Sequence, residues 1–469
     1  MQNSPRILLV NPWIVDFAAY DFWIKPLGLL YIGSILRENG YEVDLVDCLN
    51  RSAVQCRNNK DKVRRDGTGR FYKEIISKPE VLKDVPRHYG RYGLPIRIIK
   101  DQLNKTLLPD LIFVTSGMTY WYQGVVDMIS LLRDVYGNIP IVLGGIYATL
   151  MTEHAERVSG ADVVVRGEGE IAALRIADEI TGHRSNIDKY SDLNDFPPPL
   201  YDLYHEMESA AILTSRGCPN RCPFCASRIL CGRYRQTAPE RVADQIEYLS
   251  CKRGVKNIAF YDDALLYRKE EHFIPILKEV MRRNIFTGFH TPNGISPREI
   301  DFETAILMKK SGFKTIRLSF ESANRIRQKR IGSKVTNEEM VDAVNFLLMA
   351  GFERREIGAY ILMGLPDQEV QEVVESMEFI FRLGIRVSLA SYSPIPGTDY
   401  WDESVSLSPF DIDCDPVLTN NSIFPMRSEK FPYETFVKLG TIAAVENRLV
   451  EEGKYPLNDS RLRESLYKI

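Results

Sequence analysis

Along the chain, short apolar runs alternate with longer stretches in which apolar residues recur every three to four positions. RILLV (6–10), YEVDLVD (41–47), DLIFVTS (110–116), IPIVLGG (139–145) and ADVVV (161–165) read as five strands. Between them PLGLLYIGSILREN, VVDMISLLRDVYG, TEHAERVS and IAALRIADEI carry a helical period, and the first stops at Gly40, a residue suited to end a helix. Apolar strands separated by helices imply a parallel sheet covered on both faces. The pattern predicts a five-stranded, doubly wound α/β domain over 1–185.

A second run begins with AAILTS (210–215) and continues through NIAFY (257–261), FTGFH (286–290), TIRLSF (315–320), EIGAYILM (356–363) and RVSLAS (386–391). Helical patterns such as NEEMVDAVNFLLMAG and EVVESMEFIFRLG separate these strands and stop at glycine. Six strand–helix units with right-handed crossovers curl into a partial (β/α)6 barrel over 210–401, open on one side. Residues 186–209 contain DFPPPLYDLY, a proline-rich linker pattern, and 402–469 read as a mostly helical extension without assignable chemistry. Between the second and third strands a charge-rich insertion, 51–107, reads as a solvated excursion, although a loop of that length often serves function.

Composition narrows the class. Sixty basic against sixty-three acidic residues make no demand for nucleic acid or an anionic membrane. No apolar stretch approaches the ~20 residues needed to cross a bilayer, and the first strand is too short for a secretory core. The expectation is a cytoplasmic protein, in which a disulfide framework has no place.

That leaves RGCPNRCPFCAS (216–227), with Cys218, Cys222 and Cys225 at CxxxCxxC spacing. Pro219 and Pro223 forbid a regular helix, so the segment reads as a loop folded around something. A structural zinc site and a closed iron–sulfur electron carrier each want four ligands. Three thiolates on a four-iron cluster leave one iron open to a substrate or cofactor. Cys231 is the residue that could complete a closed site instead; it reads as a packed thiol.

CxxxCxxC directly after the first of six barrel strands resembles the radical S-adenosylmethionine (SAM) superfamily. The resemblance covers about 205–400. It implies a [4Fe–4S] cluster on Cys218, Cys222 and Cys225 whose open iron chelates SAM, and reductive cleavage of SAM to a 5′-deoxyadenosyl radical. It also implies SAM contacts from Asp262 and Asp263 in YDDALL, Asn293 in HTPNGI, Ser319 and Glu321 in LSFES, Phe224 beside the last thiol, and Gly364 in MGLPDQE. The family's usual Gly-Gly-Glu form is missing at Asp262-Asp263, and either aspartate could instead cap a helix. His290 and the basic run RIRQKR (325–330) read as a structural histidine and a solvated face.

The N-terminal domain resembles the cobalamin (B12)-binding-domain branch of that superfamily, a Rossmann-like fold. The resemblance places cobalamin against Ser116, Gly117, Met118 and Thr119, Gly144 and Gly145, Tyr147, and Gly167, Glu168 and Gly169, at successive strand ends. No DxHxxG motif occurs, so that motif supplies no histidine to cobalt. The implied activity is methyl transfer to an unactivated carbon of a small, natural-product-like substrate, with flavodoxin or ferredoxin as electron donor. Two alternatives stand beside it: a cobalamin-independent radical SAM cyclase or rearrangement enzyme whose first domain is a substrate platform, and a metal-stabilised, non-catalytic binding protein.

Overall fold

The computed structural model describes residues 4–52, 64 and 66–454. One compact unit runs to residue 211 and includes short returns at 229–231 and 253–255; the other takes the remaining chain from 212 onward.

In the first unit β1 (Arg6–Asn11), α1 (Leu27–Glu38), β2 (Glu42–Asp47), α2 (Ile96–Lys105), β3 (Leu111–Val114), α3 (Tyr122–Tyr136), β4 (Ile141–Leu143), α4 (Thr152–Val158), β5 (Val163–Val164) and α5 (Glu170–Thr181) follow in order. The strands form one parallel sheet in the order β5-β4-β3-β1-β2. Leu8, Leu9 and Val10 of the interior strand β1 are fully buried, as an apolar run covered on both faces requires. The order reverses between β1 and β3, and such a switch point opens a crevice at the carboxyl ends of the strands.

The charge-rich insertion is only partly the solvated excursion its composition suggests. Residues 53–63 and 65 lie outside the described residues. The remainder contributes Lys73–Ile75 and Gly90–Tyr92 to a small antiparallel sheet with Ile14–Asp16. It then supplies α2, the crossover helix into β3, which buries Ile99 and Leu103 completely. The proline-rich stretch is packed rather than loose: Tyr201 and Tyr204 are buried, and the Tyr204 hydroxyl donates to Asp47 Oδ2 at 2.7 Å.

Beyond these elements β6 (Ser209–Ile212), which ends on the first residue of the second unit, α6 (Pro239–Glu247), β7 (Asn257–Phe260), α7 (Phe273–Arg282), β8 (Gly288–His290), α8 (Phe302–Ser311), β9 (Phe313–Glu321), α9 (Arg325–Arg330), α10 (Asn337–Met349), β10 (Ile357–Met363), α11 (Val370–Arg382), β11 (Arg386–Ser391), α12 (Trp401–Leu407) and α13 (Tyr433–Glu451) follow. The sheet order is β6 to β11 in sequence, parallel from β7 onward. Phe260, Phe273, Phe289 and Phe313 fill its interior with ring centroids 5.3–6.1 Å apart. A capping box starts α10: Thr336 Oγ1 accepts from Glu339 N–H, and Glu339 Oε2 accepts from Thr336 N–H.

An open sheet of six strands leaves an edge, and the C-terminal region covers it. Asn447 of α13 donates from Nδ2 to the Val387 carbonyl at 2.7 Å and accepts the Val387 N–H at Oδ1, 2.8 Å. One carboxamide thus stands in for a neighbouring strand on β11. Arg386 pairs with Glu451 at 3.2 Å beside it.

Candidate active site

Downstream of β6, Ser215–Arg216 pairs antiparallel with Arg235–Gln236, and the cysteine loop lies between these two short strands. Gly217, at φ +80°, starts the loop. Inside it Cys225 N–H donates to Cys222 O at 3.1 Å, a tight turn over Pro223 and Phe224. The three thiols are free; Cys218 and Cys222 are half-buried and Cys225 is exposed. Burial pushes the Cys222 thiol up to about 11, with Lys334 opposing and the other two sulfurs adding to the rise. Burial raises the Cys225 thiol too, and thiols that resist ionisation suit a cationic group that would neutralise them. Among the described residues no three His, Cys, Asp or Glu side chains converge closely enough to hold a single metal ion. A multi-iron cluster takes one thiolate per iron.

Asp262 and Asp263 have separate surroundings. Asp262 is buried and accepts from Thr214 N–H at 3.0 Å, Thr214 Oγ1 at 2.8 Å and Ser215 Oγ at 2.5 Å. Burial lifts its carboxyl to about 6 against those hydrogen bonds. Its Oδ1 is engaged in fixing the strand that leads to the cysteines. Asp263 is exposed and accepts from Ser227 Oγ at 2.5 Å, two residues past Cys225.

Glu321 ends β9 in the left-handed region, φ +73°, just after a shift in register against β10. Such strain at a strand end turns the side chain out of the sheet's alternation. Glu321, Cys222 and Phe224 line one small cleft with Phe320, Gln328 and Lys334. Lys334 Nζ lies 3.8 Å from Glu321 Oε1. Burial raises the Glu321 carboxyl and Lys334 opposes that rise. Lys334 carries no motif, and nothing in one dimension announces that it turns back towards Cys222. Ser319 is buried, with its Oγ 2.6 Å from where a Cβ at Gly294 would lie. Asn293 is exposed and donates to Tyr261 O at 2.6 Å.

Gly364 departs from expectation. It adopts φ +90°, but a Cβ there would come within 2.4 Å of the Phe424 ring. Phe424, from the extension, already fills the space that the missing side chain leaves. His290 is fully buried between Thr315 Oγ1 and Asn257 Oδ1, a structural histidine as read.

In the first unit, the strand-end turns are tied together. Ser116 Oγ donates to Gly144 O at 2.7 Å and accepts from Ala148 N–H. Gly145, at φ +97°, lies so close to the Ser116 backbone that a Cβ would clash at 2.4 Å. Thr149 Oγ1, which sequence reading passed over, donates to Gly145 O and accepts from Gly167 N–H, linking the turns after β4 and β5. Gly144 and Gly167 have nothing within 4 Å of a notional Cβ, so the space beside both is open. The corresponding faces of Gly117 and Gly169 are taken by Trp121 and Ile32. Met118 and Glu168 are exposed, and Thr119 is buried. Tyr147 is not at the edge: it is fully buried, its hydroxyl 2.7 Å from His154 Nδ1. The insertion also helps line a cavity of about 530 Å³ near Cys48, Arg51, Arg70 and Phe71.

Residues 212–380 match the model of the Radical SAM superfamily, and residues 101–177 match that of the B12 binding domain. An uncharacterised methyltransferase of Pyrococcus horikoshii is 25% identical over 410 residues, covering 81% of this chain and 78% of that protein. The anaerobic magnesium-protoporphyrin IX monomethyl ester cyclase of Rubrivivax gelatinosus is 23% identical over 337 residues, 64% of this chain and 59% of the cyclase. The solved structure of the radical SAM methyltransferase TsrM from Kitasatospora setae, with tryptophan substrate and a SAM analogue bound, shares the fold. Its TM-score is 0.65 at 16% identity, over 95% of this chain and 89% of that one.

Proposed function

We infer the function from one premise: the chain belongs to the radical SAM superfamily, in the branch that carries a B12-binding domain ahead of the barrel. It is a radical SAM enzyme, and its two domains imply a [4Fe–4S] cluster, SAM and cobalamin. The finer reading is a cobalamin-dependent methyltransferase acting on an unactivated carbon. When bound, these groups supply the electron that cleaves SAM to a 5′-deoxyadenosyl radical and a carrier for the methyl group.

Cys218, Cys222 and Cys225 would hold the cluster by three irons. Glu321 and Lys334, of opposite charge and flanking Cys222, suit the polar ends of SAM, while Asp263 and Asn293 offer further polar atoms on neighbouring strand ends. Phe224 shields the cluster side. The open faces at Gly144 and Gly167 would accept the corrin, and a small donor such as flavodoxin or ferredoxin in the cytosol would supply the electron. The observation that carries the reading is the cysteine loop with three free thiols beside the Glu321–Lys334 cleft.

Product analysis tests it. Methyl transfer yields S-adenosylhomocysteine beside 5′-deoxyadenosine. The cyclase relative supports a second reading, cyclisation or rearrangement, which yields 5′-deoxyadenosine with no S-adenosylhomocysteine.

A further inference from the structure

RIRQKR is exposed at Arg325, Ile326, Lys329 and Arg330, as its composition suggests, but its middle residues Arg327 and Gln328 are buried. Arg327, in the middle of α9, is 4% exposed. It donates from Nε and Nη2 to both oxygens of Glu372, at 2.8 and 2.9 Å, and from Nη2 to Asp367 Oδ1 at 3.0 Å. A planar guanidinium with several donors can hold two carboxylates at fixed angles; an ammonium cannot.

Asp367 passes the constraint on. Its other oxygen accepts from Arg330, which also pairs with Glu403 of α12 at 2.7 Å. Asp367 itself has φ +53°, in the turn that starts at Gly364. Gln368 pins the same turn by accepting from Gly364 N–H and donating to Leu362 O. At the start of α12, Tyr400 N–H donates to the Pro223 carbonyl at 3.0 Å, inside the cysteine loop. Tyr400 and Ile331, the residue after α9, belong to the apolar cluster that packs Phe224.

The geometry points to Arg327 as a positioning residue: through Asp367, Arg330 and Glu403 it fixes the Gly364–Gln368 turn against the Cys222–Cys225 turn. This rests on the reading of those cysteines as the cluster loop. Misplacement of one turn by a fraction of an ångström would weaken SAM binding without dismantling the fold.

The test uses the full chain with its cluster reconstituted anaerobically and two variants. Arg327→Lys keeps the charge and loses the fork. The double variant Arg327→Met with Glu372→Met replaces the buried pair with apolar volume, an exchange that commonly preserves stability. The expected result is a rise in the KM for SAM of about tenfold in both variants, with the cluster's electron paramagnetic resonance (EPR) response to SAM weakened and the double variant's Tm close to wild type. A wild-type KM and SAM response in Arg327→Lys overturns the proposal. So does a KM that recovers in the double variant together with Tm, since that marks a merely structural role. A wild-type chain that holds no iron and sulfide fails the functional reading itself, before any variant is compared.

Discussion

Replacing Asp262 by asparagine should change how stability responds to pH, by an amount the structure sets. The carboxyl is buried and raised from 3.8 to about 6 by desolvation, although Thr214 and Ser215 stabilise its charge. A shift of about 2 units corresponds to roughly 3 kcal/mol, because each unit is worth about 1.4 kcal/mol. The sign follows from proton binding. Between the unfolded and folded values the native state holds the proton and the unfolded chain does not. Asp262 therefore costs nothing below about pH 4, and its penalty grows as pH rises and is complete above the folded value of about 6. The carboxamide of the Asp262→Asn variant has no charge to bury, and both hydroxyls can rotate to meet it. Guanidinium unfolding of the clusterless protein between pH 4 and 7 measures the effect. The stability of Asp262→Asn minus that of wild type should increase by about 3 kcal/mol over that range. A difference that stays flat with pH would refute the argument that desolvation outweighs the three hydrogen bonds.

The edge of the barrel gives a second expectation. Asn447→Leu strips both partners from Val387 and should cost about 2–4 kcal/mol in chemical denaturation, with self-association on concentration as the bared strand edge seeks pairing. Gly364→Ala meets both a left-handed backbone and the Phe424 ring, so thermal unfolding should show at least about 2 kcal/mol of loss. Phe424→Ala added to it should restore only part, since the backbone strain remains. In the first unit, Gly144→Val and Gly167→Val should lower corrinoid retention, read from the visible spectrum after gel filtration. Tyr147→Phe should leave the spectrum unchanged and cost only about 1 kcal/mol, through the lost bond to His154.

Much of the architecture was legible because its causes are local. All eleven strands of the two parallel sheets stand where apolar runs predicted them, since fully covered strands must be apolar throughout. The glycine stops likewise follow from residues a few positions apart, and the Thr336 capping box, as local as they are, went unread. What stayed hidden depends on which distant residue arrives at a given point. The extension reads as featureless, yet Asn447 and Phe424 complete β11 and the Gly364 turn from about 60 residues away in sequence. Lys334 gains its meaning only from Glu321 and Cys222, and Arg327 only from Glu372 and Asp367. Tyr147 sits in a glycine-rich turn that looks like ligand chemistry, but its ring is turned inward to His154. A turn motif names the backbone position and says nothing about the direction of the neighbouring side chain.

The central claim is that three thiols hold a cluster with one iron left for SAM. EPR of the anaerobically reconstituted and reduced protein, recorded without and with SAM and paired with metal analysis, tests it most directly. One [4Fe–4S] cluster per chain, with a spectrum that shifts when SAM is added, is the predicted result. Bound zinc in place of iron, or a reduced cluster whose spectrum is indifferent to SAM, would contradict it.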